Sequence, residues 1–334
     1  MTTISLGRTI SAVALATTAC LVALAPAPPA ASSVTPPAGG PHVVATIGLD
    51  RQPYDVATDA VMGMVYVTEP FKLVVISGKT NTVVGSVHVP DPTFAVATNP
   101  ATGLVYVSDP AHSSVLVINE KTNKVTATIK VGGGVFWFAV NPVTDRIYAQ
   151  AGTSTGLGRV VVIDGRTNKV VARIDDQNLS AGVAVNPVTN TVYSIDPASI
   201  LVISGQTNKI TGTISAVGGL DIGVNPRTDT IYTSTLGGEG PGFVGVINAK
   251  TGALTTTVTV SSIFDLAVDR LTSFVYVANY DPNTVVVINE RTNTTVANVP
   301  VGKLPQDVAI NQMTNTIYVT DTGSRSVSVI AGAG

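Results

Sequence analysis

Four of the seven copies of an internal repeat carry an aspartate at one position, four residues before the first turn of the copy. These aspartates are Asp55, Asp221, Asp265 and Asp307; the other copies have Ala95, Trp137 and Gly182 there. Grouped carboxylates repel one another unless a cation offsets their charge. Ca²⁺ prefers oxygen ligands, and an organic ammonium ion can rest on an aromatic face. The row therefore predicts a site for Ca²⁺ or an organic cation, with Trp137 opposite the acids.

A second interpretation of the same row is purely structural. Aspartate side chains commonly accept hydrogen bonds from backbone N–H groups in their own turn. Each aspartate of the row could do this without any ligand. A melting experiment with Ca²⁺ and with EDTA separates the two interpretations, since a ligand of the native state raises the melting temperature.

The repeat itself is marked by seven tyrosines at intervals of 39 to 45 residues: Tyr66, Tyr106, Tyr148, Tyr193, Tyr232, Tyr276 and Tyr318. Each copy has room for four short strands rich in Val, Ile and Thr. The strands are separated by turns whose last residue tolerates a positive φ, such as 141–145 and the turns that end at Asn81, Asn123, Asn168, Asn208, Gly252 and Asn293. Copies of this length and content predict an all-β fold, a seven-bladed β-propeller of four-stranded antiparallel blades.

The last copy supplies only three strands, of which the third begins at Ser326. Residues 43–47 (VVATI) match the fourth strand of other copies, such as 125–129 (VTATI). We therefore expect the N-terminal strand to complete the last blade, which removes an exposed sheet edge.

The N-terminal residues indicate export. Residues 1–31 combine Arg8, an apolar stretch and small residues, which is typical of a secretory signal peptide. Residues 32–41 read as a Pro/Ala/Gly-rich linker, and 42–334 form the propeller. The apolar stretch is short for a membrane span and Pro26 ends it, so no span is expected in the mature chain. We expect a secreted or cell-envelope monomer.

Charge and length variation distinguish two faces of the ring. The variable face carries the connections between second and third strands, which differ in length among the copies; the fixed face carries the first and last turns, which do not. We assign 14 acidic and five basic residues to the variable face, and seven acidic and eleven basic residues to the fixed face. A negative face attracts cations or basic proteins, and the net charge of −2 argues against nucleic acid as a partner.

The repeat residues resemble those of the YVTN-type seven-bladed propeller family. The resemblance rests on VNPVTNTVYSID (185–196), INQMTNTIYVTD (310–321) and VINEKTNKVTATIKVG (117–132), and it extends from Pro41 to about Ala331. It implies a secreted or surface-layer-like binding scaffold without a shared catalytic motif. Two first turns, 59–63 and 269–273, depart from the repeat.

The alternative function is that of a metal-assisted hydrolase or lyase, similar to propeller lactonases, with its site among the same aspartates. Against it, the three histidines do not converge: His42 and His88 fall on outer strands and His112 in a variable-face loop. We therefore predict no catalytic residues and a binding function.

Overall fold

The computed structural model describes residues 39–152, 158–175, 181–196, 199–215, 219–236 and 241–334. The predicted signal peptide, most of the predicted linker and most of the long connections 152–159 and 237–242 lie outside the described residues. Within the described part, no helix has the length and apolar character needed to cross a membrane.

The described residues form seven antiparallel sheets of four strands each. Blades 1 to 3 contain β2 (Val56–Asp59), β3 (Met64–Glu69), β4 (Lys72–Ser77) and β5 (Thr82–His88); β6 (Val96–Asn99), β7 (Leu104–Asp109), β8 (Ser114–Asn119) and β9 (Lys124–Lys130); and β10 (Gly134–Asn141), β11 (Arg146–Gly152), β12 (Gly158–Asp164) and β13 (Lys169–Asp175). Blades 4 and 5 contain β14 (Val183–Asn186), β15 (Thr191–Asp196), β16 (Ser199–Ser204) and β17 (Lys209–Ile214); and β18 (Asp221–Asn225), β19 (Thr230–Thr235), β20 (Gly242–Asn248) and β21 (Leu254–Val260). Blade 6 contains β22 (Ile263–Asp269), β23 (Phe274–Asn279), β24 (Thr284–Asn289) and β25 (Thr294–Pro300); blade 7 contains β26 (Pro305–Asn311), β27 (Thr316–Asp321), β28 (Ser326–Ala331) and β1 (His42–Gly48). One 3₁₀ turn, Pro110–His112, connects β7 to β8.

The sheets close into a ring, and the prediction that the N-terminal strand completes the last blade is confirmed. The first strand of each blade contacts the first strands of both neighbouring blades, and β26 contacts β2. Strand β1 pairs with β28, with His42 opposite Ala331. The register shift between Val43 and Ala45 matches the bulge between the outer two strands of every other blade, so β1 is a true fourth strand.

The turn residues behave as their types predict. All six residues that end the last turns of blades 1 to 6 have φ between +51° and +70°. The repeat tyrosines are buried, with at most 4% of their surface exposed. Hydrophobic clusters span blade boundaries, as where Tyr66 of blade 1 packs with Val105 of blade 2. The ring is therefore held together by apolar contacts between neighbouring sheets.

Side-chain hydrogen bonds join neighbouring blades at the fixed-face end of the innermost strands. We call these contacts the amide clasps. In three of them, the Asn at the first position of one blade's first turn donates to the residue at the last position of the first turn in the next blade. The pairs are Asn99 Nδ2 to Asp145 Oδ1 (2.8 Å), Asn141 Nδ2 to Asn190 Oδ1 (2.9 Å) and Asn186 Nδ2 to Asp229 Oδ1 (3.2 Å). A fourth amide clasp, from Asn225 Nδ2 to Glu290 Oε2 (2.6 Å), uses a glutamate of the following blade instead.

In blades 2 and 6, a glutamate takes the place of a glycine of the last turn; blade 1 keeps glycine at both positions, Gly63 and Gly78. A Cβ atom on Gly205 would lie 2.3 Å from Asn190 Oδ1, so the glycine makes room for the clasp side chain. Where the first turn ends in Gly103 or Ser273, the equivalent glycine is replaced by Glu120 or Glu290. At the boundary between blades 1 and 2, however, Asp59 replaces the donor Asn and faces Glu120. Burial, followed by the charge of Asp59, raises the pKa of Glu120 to about 9.

Candidate functional site

The predicted aspartate row lies at the variable-face end of the innermost strands. Asp221, Asp265 and Asp307 belong to β18, β22 and β26, and Asp55 directly precedes β2. All four side chains are buried, with at most 1% of their surface exposed. Along the ring they occupy consecutive blades 5, 6, 7 and 1, as the repeat spacing predicted.

Each carboxylate of the row accepts a hydrogen bond from the innermost strand of the next blade. The donor and acceptor atoms are Leu266 N and Asp221 Oδ2 (3.3 Å), Val308 N and Asp265 Oδ2 (3.0 Å), Val56 N and Asp307 Oδ2 (2.6 Å), and Val96 N and Asp55 Oδ2 (2.5 Å). The structural interpretation placed these donors in the aspartate's own turn, and that detail is wrong. The innermost strand is a sheet edge whose inward N–H groups lack a strand partner, so the neighbouring carboxylate supplies the acceptor. We call these four residues the aspartate belt.

The protonation of the belt follows from its burial. Burial, together with the charge of Asp307, raises the pKa values of Asp55 and Asp265 well above the ordinary range of an aspartate. Hydrogen bonds from Asp55 and Asp265 partly offset the same effect at Asp307. One oxygen of each of these three side chains, Oδ1, has no partner of its own among the described residues. The raised pKa values favour protonated carboxyl groups, and a proton shared between neighbours would give these oxygens the donor they lack. We infer that the belt carries fewer negative charges than it has carboxyl groups.

Trp137 lies on β10 and takes part in the apolar core. Only 8% of its surface is exposed. It packs in a cluster with Ala95, at the belt position of blade 2, and with Val183, one residue after the belt position of blade 4. Its indole Nε1 has no partner among the described residues. Phe138, the next residue of β10, is fully buried. Cation binding by Asp55, Asp221, Asp265 and Asp307 with Trp137 stays a prediction.

Sequence reasoning missed a run of aromatic rings beside the belt. Tyr54 and Phe94 have ring centroids 5.2 Å apart, Phe94 and Phe136 are 6.1 Å apart, and Phe136 and Trp137 are 6.0 Å apart. We call these four residues the aromatic arc. Its first three members are half-buried and stand one position before the belt position in blades 1, 2 and 3. That shared repeat position is a signal that the sequence already contained.

A carboxylate–histidine cluster adjoins the aromatic arc on blade 2. His112 Nδ1 lies 3.1 Å from Asp91 Oδ2 and 3.1 Å from Asp109 Oδ1. Among the described residues, these three are the group that brings three potential metal ligands within 4.8 Å of one another. The sequence placed His112 in a variable-face loop. It lies in the 3₁₀ turn of that loop, between two carboxylates that sequence reasoning did not group with it. The 3₁₀ turn contacts β10, which carries Phe136.

Comparisons with known proteins bear on the fold. The chain is similar to a chain of the hydrazine synthase of Kuenenia stuttgartiensis, with a TM-score of 0.75 over 84% of this chain and 96% of that chain. The two sequences are 16% identical, so the similarity shows the propeller fold alone. No protein-family model and no curated protein sequence matches the chain. The resemblance to YVTN-type repeats therefore stays a prediction.

Proposed function

We propose that this propeller is a non-catalytic binding scaffold, secreted or held at the cell envelope, whose variable face receives the ammonium or guanidinium group of a basic partner. The observation that carries the proposal is the position of the carboxylate–histidine cluster beside the aromatic arc. Phe94 belongs to the same blade as Asp91 and Asp109, and Phe136 lies on the strand that contacts the 3₁₀ turn.

The two groups of side chains suit one ligand chemistry. Aromatic rings present a negative face that attracts a cation within about 6 Å, and the attraction grows where water is excluded. Tyr54, Phe94 and Phe136 are half-buried, so their ring surfaces combine some exposure with partial exclusion of water. Asp91 keeps 29% of its side chain exposed and can pair with the same cation.

Titration calorimetry with a lysine- and arginine-rich peptide tests the proposal, with a glutamate-rich peptide as the reference. We expect binding of the basic peptide alone. Phe94→Ala and Asp91→Asn should each weaken it about tenfold, since a cation–π contact and an ion pair at a partly desolvated site contribute about 1–2 kcal/mol each.

Two matched variants control for aromatic content and charge. Phe264→Ala removes a ring at the same repeat position of blade 6, where it stacks on Tyr280. Asp281→Asn removes an exposed charge from the same face. Both should bind the basic peptide as the parent protein does. Equal weakening by all four substitutions would reduce the interaction to general electrostatics and would contradict the proposed site.

Export through residues 1–31 is part of the proposal and has its own test. The mature protein, recovered from the medium or the envelope fraction, should begin shortly after the predicted signal peptide. N-terminal sequencing measures this directly. A mature chain that still begins at Met1 would remove secretion from the proposal and leave the binding site in place.

A further inference from the structure

An open cavity of about 410 Å³ lies on the fixed face at the boundary between blades 5 and 6. The buried residues Asn225 and Tyr232 form part of its wall, and Arg227, Arg270 and Arg291 line it as well. Protein sites for small molecules typically measure about 300–1,000 Å³. The cavity is therefore large enough for a small organic molecule, and three guanidinium groups belong to it.

Two of these arginines are exceptions within the repeat. Arg227 occupies the third position of its first turn, where the other six copies have the apolar residues Val61, Ala101, Val143, Val188, Leu271 and Met313. Arg270 occupies the second position, where the others have Ala60, Pro100, Pro142, Pro187, Pro226 and Gln312. Six turns of the same type form without an arginine at these positions, so turn formation does not require one. Both exceptions nevertheless line the same cavity.

The charged groups around the cavity leave positive charge towards its opening. Arg227 and Arg291 are exposed, and neither forms an ion pair within the described part of the chain. One acidic residue, Glu290, also lines the cavity; its Oε2 accepts from Asn225 in the amide clasp. Asp269 Oδ1 accepts the N–H groups of its own turn. Three guanidinium groups therefore outnumber one carboxyl group among the lining residues. The cavity thus combines a buried polar wall with a basic rim.

Arg227 also extends over the blade boundary. Its Nη1 lies 3.5 Å from the backbone oxygen of Arg270, which belongs to the first turn of the neighbouring blade. This contact is long for a hydrogen bond and is easily exchanged for a stronger acceptor. A guanidinium group in this position is available for an oxyanion that enters the cavity.

We propose that this cavity binds a small molecule that carries a tetrahedral oxyanion, a phosphate or sulfate group. Guanidinium groups form paired, charge-assisted hydrogen bonds with such oxyanions. The hydroxyl groups of Thr228 and Thr230, which also line the cavity, can donate to the remaining oxygens. The basic balance of the fixed face steers anions to this side, away from the cation-binding patch of the variable face.

Titration calorimetry at low ionic strength tests the site with inorganic phosphate, inorganic sulfate, a sugar phosphate and a sugar sulfate as probes. We expect at least one probe of this chemistry to bind. Arg227→Ala and Arg270→Ala should each weaken binding about tenfold or more, and the double substitution should abolish it. Comparison of the organic and inorganic probes shows whether the rest of the cavity contacts the ligand.

Arg166→Ala is the matched control, because Arg166 occupies in blade 3 the turn position that Arg291 occupies in blade 6. This variant loses the same charge from the same face and should bind the probes unchanged. Arg227→Lys keeps the charge but loses the paired geometry, so it should lie between the parent and Arg227→Ala. Circular dichroism checks that each variant is folded. Absence of binding by all four probes, or equal weakening by Arg166→Ala, would overturn the proposal.

Discussion

The two ends of the innermost strands join neighbouring blades by different chemistry. At the variable-face end, the aspartate belt binds backbone N–H groups and holds protons between carboxyl groups. At the fixed-face end, the amide clasps place an amide donor against an oxygen acceptor. Two of these acceptors still titrate, because burial raises the pKa of Glu290 to about 7 and the pKa of Asp145 above its ordinary value. The aspartate belt and the amide clasps both join neighbouring blades, but the stability that each contributes depends on pH to a different extent. At the boundary between blades 1 and 2, Asp59 faces Glu120, so a carboxyl pair joins two blades at the fixed-face end as well.

Asp307→Ala should produce the largest effect on stability. Asp307 accepts from Val56 N of the next blade, and its carboxylate interacts with both Asp55 and Asp265. Its removal leaves a buried N–H group and two buried carboxyl groups without their partner. We expect the free energy of unfolding to fall by about 2–3 kcal/mol, measured by urea denaturation.

Asp307→Asn is the sharper variant of the same test. Its amide oxygen can still accept from Val56 N, and its amide nitrogen can donate to a neighbouring carboxyl group in place of a shared proton. The loss should stay below about 1 kcal/mol. Asp281→Ala, an exposed acid of the same face, serves as the control and should cost less still. Equal losses for Asp307→Ala and Asp307→Asn would contradict the account of shared protons.

Glu120→Gln should make the free energy of unfolding less dependent on pH, because it removes one titrating member of the pair formed by Asp59 and Glu120. The pKa of Glu120 is about 9 in the folded protein, against an ordinary value of 4.5. The folded chain therefore binds more protons than the unfolded chain between these pH values, and its stability falls as the pH rises through this range. Glutamine donates to Asp59 without a titrating proton. We expect a gain of about 1–2 kcal/mol at pH near 8 and a flatter stability profile.

Asp59→Asn provides a second route to the same result, because it converts this boundary into a copy of the clasp between Asn225 and Glu290. It should also raise stability at neutral and alkaline pH. If both substitutions destabilise the protein at alkaline pH, the carboxyl pair is not the source of the pH dependence.

Asn141→Ala should have a moderate effect that is independent of pH. Asn141 donates to Asn190 across the blade boundary and accepts from Val143 N within its own turn. Neither interaction involves a group that titrates. We expect a loss of about 1–2 kcal/mol at every pH from 5 to 9 in urea denaturation curves. A loss that varied with pH would show that the contrast between the two ends is incomplete.

Millimolar Ca²⁺ or EDTA should have the smallest effect on the melting temperature. The belt carboxylates already bind backbone N–H groups, and protons satisfy their remaining oxygens, so we expect no rise with Ca²⁺. A rise that disappears in Asp265→Asn would instead support the cation site predicted from the sequence and would contradict the shared protons.

The architecture could be predicted from the sequence because its determinants are local and repeated. The positive φ of Asn123 follows from its residue type, and the match of residues 43–47 to 125–129 identified the strand that closes the ring. The adjacency of Asp221 and Asp265 followed from the repeat position. Their hydrogen-bond donors could not be predicted, because the donors belong to the backbone of the next blade. The repeat pattern does not show towards which blade a side chain points.

The aromatic arc and the carboxylate–histidine cluster differ in how far the sequence could have predicted them. The aromatic arc had a signal, since Tyr54, Phe94 and Phe136 share one repeat position. The cluster of His112 with Asp91 and Asp109 had none, because its members come from two separate connections of unequal length. Only coordinates relate such loops to each other.

The pairing of β1 with β28 has a mechanical consequence. His42 lies opposite Ala331, so tension between the segments that adjoin these two residues would act on one end of the strand pair. Its hydrogen bonds would then break one after another, which takes less force than shearing all of them together. A molecule stretched between these two segments would open at blade 7, while the six blades formed from continuous stretches of chain remain intact.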